Sequence, residues 1–178
     1  MADLSKDQVV DYLSNLKRER IRRRLEKERR ERGGNPLPPA PAPTSRILAI
    51  EPEAGTVTIA LANTGANGMA VDSNGDLVAT DHKSGALVRM AFPLGTPKVL
   101  VGSYDSKRFD SPNDLAIRSD GNIYFSDPDY QAPSQKPQTQ TRVYRLAPGA
   151  SEASVIDANR AQPNGVTLSP DERTLYVS

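Results

Sequence analysis

Three asparagines open three copies of one phrase. Asn67 begins NGMAVDSNGDLVATD, Asn113 begins NDLAIRSDGNIYFSD and Asn164 begins NGVTLSPDERTLYVS, with starts 46 and 51 residues apart. An amide carbonyl is a hard, neutral oxygen donor of the kind that Ca²⁺ and similar cations accept. Neutral donors leave a bound cation more net charge with which to acidify water or hold a developing oxyanion. Asparagine also serves at turns and at the heads of strands, where its side chain bonds nearby backbone. The residues alone leave both readings open. Asp81 and Asp127 end matching strands and read as carboxylates that bond a following turn. His82, the single histidine, follows Asp81 and reads as structural.

Whatever the asparagines do, short strands must position them. Each phrase is a strand, a turn built on Asn74-Gly75, Asp120-Gly121 or Pro170-Asp171, and a second strand. Asn-Gly and Asp-Gly are strong hairpin signals, because such turns need positive φ. The three phrases align without gaps. A second phrase alternates with the first: RILAIEPEAGTVTIAL (46–61), ALVRMAFPLGTPKVLV (86–101) and RVYRLAPGASEASVID (142–157), each again strand, Pro/Gly turn, strand. Together they make four-stranded units of about 40–50 residues, the period of a β-propeller blade. The stretch PDYQAPSQKPQTQ (128–140) lengthens one connection and reads as a solvated loop rather than a lid.

Two further segments precede the repeats. Residues 1–32 read as a charged α-helix capped at Ser5, with an apolar face of Leu4, Val9, Val10, Leu13 and Leu16 that fades into KRERIRRRLEKERRER. Residues 33–45, GGNPLPPAPAPTS, form a Gly/Pro-rich linker. The 178-residue chain has a formal net charge of +1, so no global field argues for nucleic acid or membrane. Residues 17–32 could meet an RNA through clustered Arg, but no aromatic residue is interleaved to stack on bases, and a solvated helix is the reading taken. The absence of cysteine excludes disulfides and thiolate chemistry. The first residues lack the apolar core of a secretory signal and no run spans a bilayer, so the sequence-based expectation is a cytoplasmic protein, with periplasmic relatives allowed.

SPNDLAIRSDGNIYFSDPDY, QPNGVTLSPDERTLYVS and ANGMAVDSNGDLVATDH resemble the senescence-marker-protein/gluconolactonase family of calcium-dependent lactonases, over residues 46–178. The resemblance implies an all-β chain forming an incomplete propeller of the six-bladed type, about three blades, with one divalent metal in a central channel that assists lactone opening. It implies Ca²⁺ or another divalent ion as cofactor and a small-molecule lactone as substrate. Asn164 resembles a direct metal ligand of that family. Asn113 resembles the family's other amide, a metal ligand or a contact to metal-bound water and substrate. Asn67 matches neither strongly and is expected to be structural.

The chain also departs from the family pattern. The family's glutamate ligand lies in an EGP-type phrase one blade before RILAI, where this chain has the Arg-rich helix and the linker. Its aspartate ligand belongs to a blade beyond TLYVS. The expectation is therefore a truncated hydrolase, weak or inactive alone and prone to self-association through open strand edges. The alternative is a non-catalytic β-repeat module carrying a charged arm. MADLSKDQVVDYLSNL further resembles the opening helix of the bacterial ribosomal stalk protein, over 16 residues only.

Overall fold

A computed structural model describes residues 45–178, and these are strands, turns and loops throughout. The charged arm and the linker expected before them lie outside the described residues. The strands are β1 (Ser45–Glu51), β2 (Thr56–Thr64), β3 (Ala66–Val71), β4 (Leu77–Asp81), β5 (Ala86–Met90), β6 (Lys98–Val101), β7 (Ser103–Tyr104), β8 (Lys107–Arg108), β9 (Leu115–Ile117), β10 (Ile123–Asp127), β11 (Arg142–Leu146), β12 (Ser154–Asp157), β13 (Val166–Leu168) and β14 (Leu175–Val177). Among the described residues no helix is long and apolar enough to cross a membrane.

All pairing is antiparallel between neighbours in sequence, as short turns dictate. Two four-stranded meanders, β3-β4-β5-β6 and β9-β10-β11-β12, are complete blades. They are flanked by two hairpins, β1-β2 before and β13-β14 after. The two phrases found in the sequence are therefore the inner and outer halves of a propeller blade. β13-β14 is an inner half and β1-β2 an outer half. A small hairpin, β7-β8, was not visible in the pattern; it turns at Asp105 and Ser106, both at positive φ.

One register differs from the ungapped alignment. Asp72 and Arg118 each donate to a carbonyl four residues on, Asp76 and Asn122, but Ser169 donates to Thr174. The third turn thus holds one extra residue, and Glu172 takes the positive-φ position that Gly75 and Gly121 fill in the first two. Structurally, Ser178 and not Val177 corresponds to Thr80 and Ser126.

The blade β3–β6 buries apolar residues on both faces. Val78 and Leu87 join a core with Phe109, Leu115, Phe125 and Tyr144, whereas Leu77, Ala79, Ala86, Val88 and Met90 pack toward Ile47 of β1. Strands β4 and β5 are sandwiched between neighbours, so they read as continuous apolar runs instead of alternating. Phe109 meets Phe125 edge-on at 5.2 Å and Tyr144 at 5.0 Å, filling the space between the complete blades.

Candidate functional site

The inner strands β3, β9 and β13 lie side by side, and each is headed by one of the repeated asparagines. What fixes the heads is a hydroxyl relay. The residue after each asparagine gives its N–H to a hydroxyl of its own blade: Gly68 to Thr80 Oγ1 (2.9 Å), Asp114 to Ser126 Oγ (3.2 Å) and Gly165 to Ser178 Oγ (3.0 Å). The first two hydroxyls then donate across to the carbonyl of the next asparagine. Thr80 Oγ1 reaches the Asn113 carbonyl at 2.7 Å, and Ser126 Oγ reaches that of Asn164 at 2.6 Å. Buried polar backbone needs such partners.

Two more contacts tighten this end. Gly68 N–H donates to the Asn113 carbonyl at 2.7 Å, so close that a β-carbon at Gly68 would lie 2.6 Å from the Asp114 Cα. Asp114 Oδ2 accepts the N–H of Val166 at 2.9 Å, joining β9 to β13. The main chain at Asn113 and Asn164 is thus held on several sides. Their side-chain amides, like that of Asn67, make no hydrogen bond among the described residues. Backbone groups, not side-chain turn bonds, do the structural work at these positions. Asn113 is buried, whereas Asn67 and Asn164 are exposed.

Of the two carboxylates expected to bond turns, Asp81 bonds the turn that follows it, whereas Asp127 holds the remote segment that leads to Asn113. Asp81 Oδ1 accepts the N–H groups of Lys83 (2.9 Å) and Ser84 (3.1 Å). Asp127 Oδ2 accepts from Asp110 N–H at 3.0 Å and Oδ1 from Ser111 N–H at 2.7 Å. Burial pushes the Asp127 carboxyl up to about 7, against the lowering effect of those two N–H bonds. Asp110, next to it, is also raised by burial. His82 is buried, and its carbonyl accepts from Arg108 Nη2 at 2.7 Å.

Loop 128–140 is packed, not merely solvated. Gln131 N–H and Ser111 Oγ are 3.1 Å apart, two residues before Asn113. Asp129 Oδ1 accepts from Gln162 Nε2 at 2.6 Å, two residues before Asn164. Buried Gln138 donates Nε2 to the carbonyls of Tyr104, Lys107 and Arg108, and its own N–H to Asp110 Oδ1 at 2.9 Å. The loop therefore braces the approaches to both asparagines. Beside it lies a polar cleft of about 390 Å³ lined by Asp110, Asp129, Lys136, Arg160 and Gln162, with neither asparagine in its wall.

Sequence reasoning found the asparagines by their repetition. It missed Thr80, Ser126 and Ser178, Asp114 and Gln138, whose partners are remote in sequence. The hydroxyl recurring at the end of each phrase was the available signal.

Amide oxygens at the heads of adjacent inner strands suit a calcium-class cation in kind. They are few for a full set, since affinity grows with ligand charge and number. Among the described residues no group of three His, Cys, Asp or Glu gathers to hold a metal.

Residues 42–178 match the profile of the SMP-30/gluconolactonase/LRE-like region. A gluconolactonase of Zymomonas mobilis is 37% identical over 119 residues, which are 64% of this chain and 33% of that protein. The structure of a gluconolactonase from Xanthomonas campestris superposes with a TM-score of 0.69 at 40% identity, covering 75% of this chain and 46% of the other. A calcium-binding regucalcin from Agrobacterium tumefaciens shares the fold, with a TM-score of 0.57 at 17% identity over 77% of this chain and 45% of its own. The chain spans between a third and a half of the length of these relatives.

Proposed function

The chain belongs to the SMP-30/gluconolactonase/LRE-like family, and from that premise we propose that it carries part of a metal-dependent lactone-hydrolysing site. Asn164 presents its amide oxygen to a divalent cation of the calcium class. Asn113 presents its own to the cation, or to the water and substrate beside it. When bound, such a cation supplies the polarisation that makes a water or a lactone carbonyl reactive.

The surrounding residues hold the donors still. Ser126 and Thr80 fix the main chain beneath the two amides, Asp114 ties their strands together, and loop 128–140 braces the approach to each. The carrying observation is this coincidence: the asparagines that match the family pattern head adjacent, rigidly bonded strands, with amides left over from structural duty. Two neutral donors bind calcium weakly, so this chain alone is expected to turn over little substrate.

The test is hydrolysis of D-glucono-1,5-lactone, followed by acid release with and without Ca²⁺. The expected result is a metal-dependent rate within a few-fold of the uncatalysed one, lost in Asn164→Ala. Turnover that needs no metal and survives both Asn113→Ala and Asn164→Ala would overturn the assignment.

A further inference from the structure

The polar cleft beside loop 128–140 belongs to a complete blade, and the neighbouring blade shows what fills the same place there. In β3–β6, Arg108 packs between the turn at residues 82–85 and the segment leading to Asn113. It gives Nε to the Ser84 carbonyl, Nη2 to those of His82 and Lys83, and Nη1 to those of Phe109 and Asp110. In β9–β12, loop 128–140 takes the place of that turn, and Arg160 precedes Asn164 by four residues as Arg108 precedes Asn113 by five. Arg160 bonds Asp157 instead, at 3.0 Å, and a cleft of about 390 Å³ stays open. We propose that this cleft binds a hydroxylated carboxylic acid of about six carbons, the class of molecule that opening a sugar lactone yields.

The cleft is graded from floor to mouth. Asp110 forms part of its floor, only 1% exposed, with Oδ1 accepting the Gln138 N–H at 2.9 Å. Its Oδ2 has no hydrogen-bond partner among the described residues. A buried acceptor left over in this way favours a ligand that donates to it. Lys136 and Arg160 stand at the mouth, their side chains 55% and 63% exposed. Lys136 Nζ bonds Asp129 yet keeps further N–H groups, and the Arg160 Nη groups have no partner among the described residues. An arginine fork beside a lysine suits a carboxylate. The rest of the wall adds the hydroxyl of Thr139 and the amides of Gln140 and Asn159. Such groups both donate and accept, as a row of ligand hydroxyls requires.

The same arrangement argues against other classes of ligand. Lys136 and Arg160 balance Asp110 and Asp129, so no net field gathers a bare anion or a metal ion. Burial raises the Asp110 carboxyl, which reduces the charge that would repel an acid or hold an ammonium. A simple amino acid offers nothing to the hydroxyl and amides of the wall, and an alkyl acid offers nothing to Asp110. A hydroxy acid meets the floor, the wall and the mouth at once. That the ligand is the product of this protein's own reaction rests on the hydrolase reading above. That the cleft takes a hydroxy acid does not.

Ligand-observed NMR titration of the full chain in EDTA tests the cleft apart from any metal. D-Gluconate is expected to bind saturably, with Kd on the order of 10⁻³ M. D-Sorbitol lacks the carboxylate, hexanoate lacks the hydroxyls, and L-norleucine has an ammonium in their stead. Each is expected to bind at least about tenfold more weakly, a comparison that needs no variant to fold. Lys136→Gln with Arg160→Gln is expected to weaken gluconate at least about tenfold and to leave sorbitol unchanged. Asp110→Asn keeps an acceptor for the Gln138 N–H but turns a donor to the ligand, and is expected to weaken gluconate and sorbitol alike. Circular dichroism checks that each variant keeps its β-sheet. Asn164→Ala is expected to leave gluconate binding unchanged, so a failure of the metal-site reading and a failure of this one are told apart. No saturable binding of gluconate, equal binding of any of the three analogues, or loss with Asn164→Ala but not with the double variant would each overturn the proposal.

Discussion

The complete blades and the half-blades are built from the same phrases yet differ in what those phrases achieve. In β3–β6 and β9–β12 apolar positions of the central strands, among them Val88, Met90, Tyr144 and Leu146, are buried. In β1-β2 the matching positions, Leu48 and Ile50, face outward. The sequence pattern of a blade therefore specifies local strands and turns, while burial comes from the next blade. That dependence on neighbours is the defining property of repeat architectures.

The largest expected break in this comparison comes from truncating one position in both settings. Met90→Ala is expected to cost about 2–5 kcal/mol, as removal of a buried large side chain does. Ile50→Ala, at a position 61% exposed, is expected to cost under about 1 kcal/mol. Urea unfolding of the two variants measures the difference.

A complete blade also buries charge. Desolvation holds the proton on Asp127 up to about pH 7, whereas the unfolded chain releases it near 3.8. The folded state thus binds more protons between those values, so the contribution of Asp127 is greatest in acid and is lost as pH rises through about 4 to 7. The span is at most about 4 kcal/mol. Thermal melting from pH 4.5 to 8 is expected to show this decline, and Asp127→Asn to flatten it.

Smaller effects test the relay. Thr80→Val keeps the shape and removes one of the two donors to the Asn113 carbonyl, the Gly68 N–H remaining, an expected loss of about 0.5–1.5 kcal/mol. Ser178→Ala, at an exposed position whose hydroxyl accepts only the Gly165 N–H, is expected to cost under about 0.5 kcal/mol. Gly68→Ala would drive a β-carbon into the backbone of Asp114 and is expected to cost about 1–3 kcal/mol. Gly165→Ala meets the Ser178 hydroxyl at 3.0 Å, a side-chain atom that can turn aside, and Asp114 Oδ2 at an ordinary 3.9 Å, and is expected to cost less. Chemical denaturation of the four variants checks the order.

Much of the fold was legible in sequence because its signals are local. Asn74-Gly75 and Asp120-Gly121 announced two hairpins, and the alternation of two phrases announced the blades. The third hairpin was placed one residue out of register, because Glu172 adopts positive φ without being glycine. Only the hydrogen bond from Ser169 to Thr174 reveals the extra residue. At the site, repetition pointed to Asn67, Asn113 and Asn164, and family resemblance separated the last two from the first. The supports were not legible. Thr80 acts on a carbonyl 33 residues away and Ser126 on one 38 residues away, so no spacing rule connects them. Loop 128–140 looked solvated by its composition, yet buried Gln138 anchors it to three carbonyls.

The central claim is that Asn113 and Asn164 are metal-site amides while Asn67 is not. Calorimetric titration of the full chain with Ca²⁺ tests it most directly. The account predicts weak binding, with Kd on the order of 10⁻³ M, reduced at least tenfold by Asn164→Ala, weakened by Asn113→Ala and unchanged by Asn67→Ala. Equal losses in all three variants, or binding that none of them alters, would contradict it.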